Sequence, residues 1–224
     1  MRHLLLCCSL LLPCLPAVAQ TGPARYDLSD SHGRLFVLVR AERGGLFGAL
    51  GHDHVVVASD FEGTMLWDPA DPTTCDVRIE APVDGLVVDP GSSRSWADFD
   101  GETSDGDKQT IRENMRSERQ LDRARFSTMT FRSDGCVPTD DGARVSGALT
   151  IHGVSHRVTV PMRIQTDGDE VVATGRFTAD HEDFGMRPYR ALAGALRNQE
   201  ALEFVVDVRG TLSAEQPALR VVEH

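Results

Sequence analysis

His52-Asp53-His54 is the sharpest chemical pattern in the chain, because residues i and i+2 of a strand point the same way and offer two imidazoles to one metal ion. Two ligands do not close a site. The remainder would have to come from Asp53, His152, His156, His181 or Glu182. The competing reading is that these histidines, which sit at turn-like positions, bond backbone and orient strand ends. Other chemistries find less support. There is no G-x-S-x-G elbow and no Cys-His signature, and no Gly-rich phosphate loop leads into a helix. The acid pairs Asp140-Asp141 and Glu182-Asp183 read as solvated turns. The expectation is a protein that binds and does not catalyse, with a metal-binding protein or metal-dependent enzyme built on His52 and His54 as the alternative.

The elements that would position these residues are strands. The segment from Arg144 to Ile164 is two runs of alternation joined at His152-Gly153. Val145, Gly147, Leu149 and Ile151 share one face, as do Val158, Val160, Met162 and Ile164, while Ser146, Thr150, Arg157, Thr159 and Arg163 form a polar one. It reads as a hairpin with one wet side. RLFVLVRA (34–41) carries Leu35, Val37 and Val39 on one face and Phe36 and Leu38 on the other, as in a strand covered on both sides. Further on, Val55, Val57, Phe61, Met65 and Trp67 share a face in what reads as one long strand bent at Gly63. More strands are expected over 75–88, 125–137, 171–177 and 203–212, and Tyr26 and Leu28 mark an edge strand. Ile111 and Met115 lie at helical spacing behind acids, which predicts a surface helix within 105–121, and YRALAGALRN (189–198) is helix-compatible. About eight strands with short helical insertions imply an all-β antiparallel barrel or sandwich, and closure into a barrel removes exposed edges.

Composition narrows the partners. Lys and Arg number 23 against 34 Asp and Glu, a net charge of −11, with no basic cluster to follow a phosphate backbone, so nucleic acid is not expected. Aromatic residues at 6 % argue against a carbohydrate-stacking surface. Residues 1–19 combine a basic start, an apolar run interrupted by Pro13 and Pro16, and Ala17-Val18-Ala19, which reads as a secretory signal peptide with one domain following over 20–224. A periplasmic or secreted location is the expectation. Past that point only Cys75 and Cys136 remain, an even pair that forms either one disulfide or two buried thiols. A disulfide would close 61 residues and stabilise by ~4 kcal/mol in the chain-entropy model. Oligomeric state stays open, with a homodimer allowed.

GHDHVVVASDFEG, RFSTMTFRSDGCV, VSGALTIHGVSHRVTVPM and VATGRFTADHEDFGM together resemble the YceI family of secreted, lipocalin-like lipid-binding proteins, in a branch with paired histidines. The resemblance spans Tyr26 to Leu212. It implies an eight-stranded antiparallel barrel capped by helical insertions, whose apolar tunnel carries or sequesters a long amphiphile such as a polyisoprenoid or quinone, with no other cofactor. The inward faces then nominate Phe61, Met65, Trp67, Phe131, Leu149, Ile151, Val160, Met162, Phe177, Phe184 and Phe204 as its wall.

Overall fold

The structure, a computed structural model, describes residues 22–43, 51–191, 193 and 196–215. The signal-peptide segment 1–19 lies outside them. In chain order the strands are β1 (Ala24–Ser29), β2 (Arg34–Ala41), β3 (His54–Ala58), β4 (Glu62–Trp67), β5 (Asp76–Pro82), β6 (Leu86–Val88), β7 (Thr128–Thr139), β8 (Gly142–Ile151), β9 (Val154–Asp167), β10 (Glu170–Asp180), β11 (Arg190–Ala191) and β12 (Leu196–Leu212). The helix α1 (Asp105–Arg116) stands between β6 and β7.

Six of these segments join across short interruptions into three long strands. β1 and β2 both pair with β12, Tyr26 opposite Leu212 and Val37 opposite Phe204. β4 and β3 pair with β1 and β2, and β5 and β6 pair in turn with β4 and β3. β5 meets β7, and β7, β8, β9, β10 and β12 follow as an antiparallel meander. The result is a closed eight-stranded up-and-down barrel. β1 is therefore no edge strand: it closes the barrel between β12 and β4, which buries Tyr26 and Leu28.

The two ends of the barrel differ. At one, the turns are short and the interior is packed solid by Ala24, Trp67, Ala143 and Val171, all buried. Burial, reinforced by the charge of Asp169, pushes the Tyr26 phenol above its ordinary value there. Cys75 and Cys136 are joined in a disulfide with Cα atoms 6.1 Å apart, tying the start of β5 to β7 just beyond the last paired residues, Arg78 and Arg132. At the other end the long connections gather, described over 51–53, 89–127 and 181–191.

The β8–β9 hairpin has one wet face as its alternation predicts. Ser146 and Thr159 hydroxyls meet at 2.8 Å and those of Thr150 and Ser155 at 2.7 Å, while Arg163 reaches Asp141 at 3.0 Å. Its turn places His152 at φ 53° and Gly153 at φ 71°, the left-handed pair of a two-residue hairpin loop. A Cβ on Gly153 would also come within 2.3 Å of the Phe126 ring.

Three expectations change. The strand over 54–67 breaks at Ser59–Phe61, not at Gly63; Gly63 is small because a Cβ there would lie 2.4 Å from the Arg78 carbonyl oxygen. The break shifts the alternation by one residue, so Val56 and Ala58 face inward, and Val55 and Val57 join Phe36 and Leu38 in a second cluster outside, covered by Trp96 and Phe99. Where the 189–198 segment is described it forms a hairpin, not a helix. Arg190 pairs with Arg197, and Asn198 N–H bonds the Tyr189 carbonyl at 3.0 Å, so ladder bonds replace a helix that has no cap.

Candidate functional site

The barrel encloses a cavity of about 510 Å³. Met65, Phe131, Leu149, Ile151, Val160, Met162, Phe177 and Phe204 line it, the last pair's partner Phe177 stacking on Phe204 with centroids 4.7 Å apart. Phe61, Trp67 and Phe184 do not. Phe61 is buried at the β3–β4 break and Trp67 belongs to the packed end, opposite Ala24. Phe184 is fully buried in the 3-10 turn His181–Phe184, its ring edge-on to Phe204 at 6.4 Å, so it backs the wall without reaching the cavity. Ala58, Ala81 and Ala173 line the wall where larger residues would fill the space.

Sequence reasoning missed two contributions. Val37, Val39, Val56 and Ala58 come from β2 and β3, where apolar residues on both faces hide which one is inward. Ile111 and Met115 come from α1, which closes over the long-loop end. Their helical spacing was the available signal. Ser104 caps α1 by accepting the Asp107 N–H at 3.1 Å; farther along, Asn114 donates to the Tyr189 hydroxyl at 3.2 Å and Arg116 to the Asp84 carbonyl at 2.8 Å. The helix is thereby held to both neighbouring connections.

Polar lining gathers at this mouth: His52, His54, Glu102, Asp107, Asn114 and Asn198. Its fixed point is Asp89, 1 % exposed and at φ 44°. One carboxylate oxygen accepts the Val55 N–H at 2.7 Å; the other accepts His54 Nδ1–H at 2.8 Å, the Thr103 hydroxyl at 2.6 Å and Arg94 Nη1 at 3.3 Å. Burial alone would raise its pKa, but the hydrogen bonds from His54, Thr103 and Val55 prevail and hold it at about 2. Arg94 extends the network to the Asp53, Asp100 and Gly101 carbonyls at 2.6, 2.5 and 3.0 Å. The loop before α1 is thus fastened to the first residues of β3.

All the histidines singled out above stand at this end, but they do not converge. His181 Nδ1 donates to the Glu200 carbonyl at 2.7 Å, His152 to the Phe184 carbonyl at 3.3 Å, and His156 faces Asp183 at 3.4 Å. Among the described residues no three His, Cys, Asp or Glu side chains group so as to hold an ion.

Comparison with known proteins places the barrel. A family model described as the YceI-like domain matches residues 30–210. The chain belongs to the YceI family. Solved structures share the fold: Burkholderia cenocepacia BcnA superposes with TM-score 0.60 at 13 % identity, over 82 % of this chain and 99 % of that one. The Campylobacter jejuni YCEI protein gives 0.54 at 13 % identity, over 70 % and 84 %, and a variant of it with a monobromobimane guest gives 0.54 at 14 %, over the same shares. No curated protein matches the chain significantly. In this YceI barrel the matched range starts after β1, although β1 completes the wall.

Proposed function

We propose that this YceI protein binds and carries, or sequesters, a long-chain isoprenoid-type lipid, with the chain in the barrel cavity and the head at the long-loop mouth. One observation carries the reading: the cavity is walled by apolar side chains along its length and polar ones gather at one end only. Each buried CH₂ contributes ~0.8 kcal/mol, so a tail of many carbons binds without a charged contact. The packed end favours entry through the long-loop mouth. The family likeness, with its lipid-binding members, supports the same assignment. Export to the periplasm or outside follows from the signal-peptide pattern and suits a Cys75–Cys136 disulfide. The metal alternative has His52 and His54 at the mouth but no third ligand among the described residues, and is not adopted.

The test is organic extraction of natively purified protein followed by mass spectrometry, with a long-chain lipid as the expected result. Lipid-free protein that also takes up neither quinones nor prenols overturns the reading.

A further inference from the structure

We propose that the mouth of the barrel selects a lipid whose head is uncharged and carries a hydroxyl, a long-chain alcohol or hydroquinone, and rejects phosphate- and carboxylate-headed chains. His54 accepts the head group's hydrogen bond. The proposal rests on reading the cavity as a lipid site.

The first argument is charge. Among the described residues that line the cavity there is no Lys or Arg, whereas Glu102 and Asp107 stand at the mouth. A phosphate drawn to the polar end would leave water and meet two carboxylates with no lysine or arginine on the wall to compensate. The N-terminus of α1, whose free N–H groups would otherwise attract an anion, is already occupied: Ser104 caps it, and Asp105 and Asp107 fill its first turn. Arg94 is the nearest strong cation in the network, but its donors are spent on Asp89 and on the Asp53, Asp100 and Gly101 carbonyls.

The second argument is the orientation of His54, which lines the cavity with its side chain 15 % exposed. An ionised carboxylate only accepts, so the 2.8 Å contact to Asp89 requires the proton on Nδ1. In the neutral ring Nε2 is then a lone-pair acceptor, and among the described residues nothing is bonded to it. Asp89 is rigidly held by the Val55 N–H and Thr103, so the ring is presented in one tautomer and one pose. An acceptor at the polar end of an apolar cavity matches a head that donates O–H.

Three probes of equal chain decide it: geranylgeraniol, its methyl ether and geranylgeranyl phosphate, each titrated into the extracted protein and followed by native mass spectrometry. The alcohol is expected to bind roughly five-fold tighter than the ether, the worth of one hydrogen bond, and more than ten-fold tighter than the phosphate. In His54→Ala, with its fold checked by circular dichroism, the alcohol and ether should bind alike. Equal or tighter binding of the phosphate overturns the proposal, as does an alcohol indistinguishable from its ether in the unaltered protein, a comparison that needs no variant. Survival of the preference in His54→Ala overturns the role of that residue. Failure of all three probes to bind, with a quinone of similar chain also refused, removes the lipid reading itself.

Discussion

The two ends of the barrel are built from the same strands to opposite purposes. At the short-turn end Ala24, Trp67, Ala143 and Val171 fill the interior, and a disulfide ties β5 to β7. At the long-loop end the strands part around a cavity, and order comes from a polar network centred on Asp89 and from a helix laid across the opening. The closed end holds the fold by packing, whereas the open end trades packing for space and keeps its shape with hydrogen bonds. Changes in the packed end should therefore alter stability and leave uptake intact, whereas changes at the open end should bear on uptake as well.

The largest effect is expected at Trp67, 3 % exposed and off the cavity wall. Trp67→Ala should cost about 3–5 kcal/mol in urea unfolding, while lipid uptake per folded molecule stays unchanged. Lost uptake in a still-folded variant would mean that the closed end shapes the site. Next comes the disulfide. Replacing Cys75 and Cys136 together by Ser should lower stability by about 2–4 kcal/mol, again without loss of uptake.

How much of this was legible from residues alone depended on how local the cause was. The β8–β9 hairpin could be read because a strict period of two and a His152-Gly153 turn set face and register within twenty residues. The double covering of Phe36 and Leu38 was legible too, though not what covers them, since Trp96 and Phe99 arrive from some sixty residues on. The inward face of β3 was misread because three residues, Ser59–Phe61, reset the phase, and nothing in their types announces it. Of the residues nominated, those on clean strands border the cavity, while Trp67 and Phe184 show that a buried face is not yet a cavity wall. The Asp89–His54 contact spans 35 residues and joins a loop to a strand end, so no spacing could reveal it.

That contact supplies the open end's own prediction, in acid. Asp89 has its pKa lowered to about 2 from an ordinary 3.8, so the folded state binds its proton less readily than the unfolded chain. Its contribution, about 2 kcal/mol, is full above pH ~4 and is lost as pH falls toward 2. Asp89→Asn should flatten this part of the stability profile, measured by urea midpoints between pH 2 and 6. An unchanged profile would show that the network does not hold the mouth.

The smallest effects make the finest distinction, because they add volume in place of removing it. Ala143 is fully enclosed at the packed end, whereas Ala81 is buried against strand neighbours yet borders the cavity. Ala143→Leu has nowhere to put three extra carbons and should lose about 1–3 kcal/mol. Ala81→Leu can place them in existing space, where the burial of added CH₂ groups offsets strain, so its stability should change by less than about 1 kcal/mol. Uptake should respond in the opposite order: unaltered in folded Ala143→Leu, and weakened in Ala81→Leu as the chain competes with the new side chain. If both variants lose stability equally, the interior at Ala81 is as full as at Ala143, and the difference between the ends is one of polarity alone.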